Sequence, residues 1–156
     1  MGQQSMGQQS IDSRELLVYV YDQILARGTP PTSSEIAVRF DTSQAEALRA
    51  LREADLGKTL LPNPHTGEVW MAGPFSALPT PYEVSSDDVQ WWANCAWDML
   101  GIPVVAARPV EIRASCTDCG ESMLFHVDPG QSTIDVDAVV HFLVPARRWY
   151  EDIGFT

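Results

Sequence analysis

"VQWWANCAWDMLGIP", residues 89–103, is the stretch on which the fold of the second half turns. At about 100° per residue, Val89, Trp92, Ala93, Ala96 and Leu100 fall on one stripe. That pattern predicts a helix over residues 87–101, capped by Ser85 or Ser86 and closed at Gly101-Ile102-Pro103. On such a helix Cys95 sits at the edge of the stripe. Asp98 lies about 60° further round, towards the polar side. The thiol and the carboxylate then meet, half-buried, beside Trp91. The thiolate is the reactive form of cysteine and prefers soft metals. A neighbouring carboxylate opposes its ionisation but takes up or delivers a proton. Two readings stand at this level: a semi-buried cysteine beside a surface aspartate, or a pair in which sulfur binds a soft electrophilic atom and the acid handles a proton.

Upstream, residues 13–27 place Leu16, Leu17, Val20, Ile24 and Leu25 on one helical face, with Ser13 as N-cap and Gly28 as stop. "TPPTSSEIAVRF" opens a short second helix capped by Ser33 or Ser34. Asp41 to Asp55 reads as a third, with Ala45, Leu48, Leu51 and Leu56 as its apolar positions and Gly57 ending it. "KTLL" and "EVWMA" flank a Pro/Asn/Gly turn, a hairpin signal. Three helices and a hairpin predict a winged-helix-like module over residues 13–75. It follows a disordered tail, 1–12, whose "MGQQSMGQQS" repeat has nothing to bury. The Pro/Ser-rich residues 76–86 read as a linker.

Downstream, residues 87–156 read as a helix followed by a small, mainly antiparallel β-sheet. "RPVEIRASC" and "ESMLFHVD" alternate, "AVVHFLVP" is a buried-type strand run, and "ARRWYEDIGFT" is a short helix. The fold class is therefore α+β. Cys116 and Cys119 form a C-x-x-C in the turn "TDCG". Zinc requires four ligands, and only Cys95 with His126 or His141 is left to complete such a set. The spacing is equally that of a tight turn with incidental thiols.

The chain has 156 residues and a net charge of −11. Acidic residues outnumber basic ones nine to six over residues 1–80 and twelve to four over 81–156. Neither half suits a phosphate backbone. The third helix sets Arg49 and Arg52 against Glu46, Glu53 and Asp55, and Lys58 is the hairpin's only basic residue, so no nucleic-acid partner is expected. With no apolar run of membrane-spanning length and no signal peptide, the expectation is a cytoplasmic protein without a membrane partner. An odd number of cysteines points to free thiols, metal ligands or nucleophiles.

"WWANCAWDMLGIPVVAARPVEIRASC", residues 91–116, resembles the core of the organomercurial (alkylmercury) lyases, and the likeness extends over roughly residues 14–156. In that family a helix carrying Cys-x-x-Asp precedes a short Pro-containing connection and a strand ending near a further cysteine, behind a winged-helix-like module. The resemblance implies protonolysis of carbon–mercury bonds, giving a hydrocarbon and Hg(II), with a dithiolate holding mercury and an aspartate relaying the proton. It assigns Cys95 as the thiol that attacks mercury and Asp98 as the acid. Trp91 and Trp92, with Trp97 nearby, become candidate walls for the organic group, and Cys95, Cys116 and Cys119 a candidate mercury-ligand set. It implies no resident cofactor, small thiols as co-reactants, and a mercuric reductase as a recipient. The family's second catalytic cysteine lies beyond a segment like "HFLVPARRWYEDIGFT", so the resemblance implies a chain that stops before it, with an open strand edge prone to self-association. The alternative on the same scaffold is a thiol-based mercury binder or sensor without turnover; a winged-helix regulator is a more distant one.

Overall fold

The computed structural model describes residues 10–54, 58–87, 89–130 and 138–154. The expected tail, residues 1–12, falls outside these except for its last three positions, as do Asp55, Leu56 and Gly57. The chain divides into two compact units, Met1–Gly73 and Pro74–Thr156.

The first unit contains α1 (Ser13–Arg27), α2 (Ser33–Arg39), α3 (Gln44–Glu53) and the strands β1 (Leu60–Pro62) and β2 (Val69–Ala72). Asp12, one residue earlier than expected, caps α1, because its carboxylate accepts the Arg14 and Glu15 N–H groups at 3.0 Å each. Leu16, Val20 and Ile24 form the buried stripe. Gly28, at φ +84, ends the helix in the left-handed region. Thr32, rather than Ser33 or Ser34, caps α2 through a capping box with Glu35. Ser33 is fully buried instead, its N–H donating to Glu68 at 2.7 Å, which ties α2 to the start of β2. Ser43 caps α3. The β1–β2 pair is antiparallel, with Leu60 opposite Ala72. Asn63 organises its turn by accepting the His65 and Thr66 N–H groups.

The second unit differs from expectation at the stretch quoted above. Residues 89–93 are a strand, not the first turns of a helix. The strands are β3 (Phe75–Ser76), β4 (Glu83–Ser86), β5 (Val89–Ala93), β6 (Val110–Ser115) and β7 (Ser122–Val127). Within this unit their spatial order is β3-β5-β4-β6-β7, and the neighbours pair antiparallel. The only α-helix described in this unit, α4 (Asp98–Ala106), packs on β4 and β5. Ser85 and Ser86 end a strand rather than cap a helix: Ser86 pairs with Val89 and Asp87 sits at φ +51, as in a hairpin. Strand alternation then points Trp91 and Ala93 into the core with Val84 and Ile112. The residues expected as a linker include the end of β3 and all of β4, the central strand. Nor does the helix stop at Gly101-Ile102-Pro103. Ile102 and Pro103 are buried and the helix runs to Ala106, closed by Ala107 at φ +52. Burial against the sheet outweighs the weak helix propensities of Gly and Pro.

β6 and β7 match the two alternating runs. "AVVHFLVP" does not form a strand. Val139 and Leu143 are exposed, and an apolar run without a pairing partner has no ladder to join. The tail folds as a 3₁₀ turn over Ala146–Glu151.

Candidate thiol–carboxylate site

β5 ends at Ala93, and the next four residues turn the chain into α4. The Met99 N–H donates to the Cys95 carbonyl at 3.1 Å, so helical bonding already begins at Cys95. The Cys95 sulfur accepts the backbone N–H groups of Asp98 and Trp97. It therefore occupies a helix N-terminus, where donors favour a thiolate. The Cys95 Sγ lies 3.5 Å from Asp98 Oδ2 and donates its proton there. The two side chains meet as the sequence reading expected, but by a different route. They close the first turn of α4 instead of sharing the middle of a longer helix.

Burial decides the ionisation of both groups. It pushes the Cys95 thiol up, and the Asp98 charge adds to it against the two N–H donors. Burial also raises the Asp98 carboxyl, over the opposing hydrogen bonds from Cys95 and Asn94. Both groups therefore hold their protons more readily than an ordinary cysteine and aspartate.

Asn94 and Tyr82 belong to the same surroundings, and sequence reasoning missed both. The Asn94 side chain bonds Asp98, while its Oδ1 is buried without a hydrogen-bond partner. The Tyr82 phenol is raised by burial and by the Cys95 charge. Asn94 adjoins Cys95 in the sequence, yet nothing there marks it as polar machinery. Tyr82 enters only because β4 lies beside β5.

The aromatic residues separate. Trp91 has no exposed surface, tilts against Phe75 at 6.2 Å and lies under the Arg108 guanidinium at 5.8 Å. It is a core residue, and its expected place in a substrate wall is corrected accordingly. Trp92 points to the other face of the sheet, into an open groove of about 400 Å³ with Thr80, Glu83, Arg113 and Met123. Trp97, next to Cys95, is 57% exposed and packs on Phe142 at 6.2 Å, which packs on Trp149 at 5.3 Å. The indole best placed to meet a ligand beside the sulfur is therefore Trp97.

The expected ligand set of Cys95, Cys116 and Cys119 is not assembled. Among the described residues no three His, Cys, Asp or Glu side chains converge to hold a metal ion. The thiols form two pairs instead, Cys95 with Asp98 and Cys116 with Cys119, because the C-x-x-C belongs to the β6–β7 turn and Cys95 to the β5–α4 junction.

The fold is thus an antiparallel α+β sheet with a half-buried thiol–carboxylate pair at a helix start. Residues 75–155 match the alkylmercury lyase family, MerB, and the chain belongs to it. Over 70 residues it is 34% identical to alkylmercury lyases of Bacillus cereus and Clostridium butyricum. That stretch is 44% of this chain but only 32% of each relative. The fold is similar to that of MerB2, solved in a mercury-bound form, with a TM-score of 0.61 and 17% identity over 80% of this chain and 60% of that one.

Proposed function

We propose that the chain carries out protonolysis of organomercurials, with Cys95 as the mercury-binding thiol and Asp98 as the proton relay. The observation that carries this reading is the 3.5 Å contact from Cys95 Sγ to Asp98 Oδ2 at the start of α4. An organomercurial R–Hg–X meets a thiol already bonded to its proton acceptor. As sulfur bonds mercury, X⁻ leaves and the thiol proton passes to Asp98. A small thiol from solution gives mercury its second sulfur and releases its proton to water. Asp98 then protonates the carbon, the carbon–mercury electron pair stays with carbon, and R–H departs. Hg(II) remains as a dithiolate of Cys95 and the small thiol, ready for exchange onto a recipient's thiols.

The raised proton affinity of Asp98 supports the relay, since an acid that holds its proton until the carbanion develops is matched to this step. Trp97, two residues after Cys95 in the chain, is 57% exposed and packs on Phe142, an apolar surface suited to the organic group.

The test is benzene release from phenylmercury in excess small thiol. Multiple turnovers are expected, and their loss in Cys95→Ser. Mercury held tightly without benzene would instead favour the non-catalytic mercury binder.

A further inference from the structure

The β6–β7 turn, Cys116-Thr117-Asp118-Cys119-Gly120, carries two thiols that the reaction above does not use. The Cys116 N–H donates to the Glu121 carbonyl at 2.8 Å, and the Gly120 N–H to the Cys116 carbonyl at 2.9 Å. The loop thereby closes tightly beyond the paired residues Ser115 and Ser122. Closure requires Gly120 at φ +74. A Cβ there would meet nothing within 4 Å, so that side of the turn is open. The Cys116 sulfur accepts the backbone N–H groups of Cys119 and Asp118 and the Cys119 thiol. These donors hold the Cys116 thiol below the ordinary cysteine range. Cys119 is exposed and Cys116 half-buried, so a small solute reaches both sulfurs from solvent.

We infer that this turn is a dithiol site for a soft cation of low coordination number, Hg(II), separate from the Cys95–Asp98 pair. Two sulfur–mercury bonds form as the two monothiolates that carry mercury leave, the two thiol protons pass to those leaving thiolates, and no electrons change hands. Coordination number selects the ion. Zinc takes four ligands, and among the described residues no cluster of three or more metal-ligating side chains includes this pair. Two thiolates satisfy a soft two-coordinate ion. The choice of mercury among such ions rests on the proposed lyase reading, whose inorganic product it is; the dithiol itself does not. Against free monothiols the advantage is intramolecular. Once one sulfur has bonded, the second acts at an effective concentration of about millimolar or more.

The experiment incubates the Cys95→Ser chain with mercuric chloride and excess monothiol, removes small molecules by gel filtration and measures mercury per chain. One mercury per chain is expected to be retained. Adding Cys119→Ser should weaken retention by roughly 10²-fold, with circular dichroism unchanged because Cys119 is an exposed loop residue. Cys116→Ser is the second variant and should behave alike. Undiminished retention in the Cys119→Ser chain, or none in the Cys95→Ser chain, overturns the assignment. So does zinc chloride giving one retained zinc per chain under the same conditions. The lyase reading is scored separately, by benzene release with Cys95 intact, so either failure is distinguishable from the other.

Discussion

The Cys95 thiol donates to Asp98 at a half-buried helix start, and their neighbours tune how firmly each holds its proton. Because Cys95 is raised and Cys116 lowered, brief iodoacetamide treatment at pH 7 should label Cys116 before Cys95, read by peptide mass spectrometry. Labelling of Cys95 first would contradict the account. Asp98→Asn removes the like charge and the acceptor, so Cys95 should label faster at the same pH. An ionised Asp98 takes the thiol proton as mercury binds and so speeds uptake; without it the proton passes more slowly to solvent. Mercury uptake at Cys95 should therefore increase with pH through a limb above the ordinary aspartate value of 3.8. Asn94→Ala deletes a bond that favours ionised Asp98, and should move that limb further up. An unmoved limb would remove Asn94 from the site.

The boundary between β5 and α4 is where element-level reasoning failed, and the cause is physical. Residues 89–101 satisfy a helical stripe, but Trp91 and Val89 are β-prone and the preceding Asp87 adopts the left-handed turn of a hairpin. The core contact of Trp91 then decides for strand. Trp91→Ala should cost about 3–5 kcal/mol of stability, read by denaturant unfolding. In the first unit, α1 to α3 and the hairpin were legible from apolar periodicity and turn residues, while the caps of α1 and α2 lie earlier than the residues expected. The cap of α2 is the Thr32 box with Glu35, and Arg27 also bonds that carboxylate. These partners hold Glu35 at about 2, below its ordinary 4.5. Its contribution is present above the unfolded value and is lost as pH falls through the folded one. The melting difference between wild type and Glu35→Gln should accordingly be present at neutral pH and vanish as pH approaches about 2. The hairpin turn gives a further test. Gly67 sits at φ +77, where a Cβ would stand 2.8 Å from the Arg52 guanidinium. Gly67→Ala should destabilise by about 1–2 kcal/mol.

For the whole molecule, the α+β class and the Cys95–Asp98 pair were legible in the sequence, whereas the groups around the pair were not. The pair survives the wrong element assignment because i and i+3 are neighbours in any helical turn, whether inside a helix or at its start. Tyr82, Phe142 and Trp149 depend on contacts between segments far apart in the chain, which no local spacing encodes. The division of labour among the cysteines is likewise a property of the fold: it assigns Cys95 to the β5–α4 junction and the C-x-x-C to a hairpin turn. Family membership makes protonolysis the chemistry to test. The most direct measurement compares benzene release from phenylmercury by wild type and Asp98→Asn in excess thiol, with bound mercury measured in parallel. A fall of about 10²- to 10⁴-fold in benzene release is expected, with mercury still captured by Cys95 when the bound mercury is read in a Cys119→Ser background. Asp98→Asn turning over at the wild-type rate would contradict the relay role of Asp98.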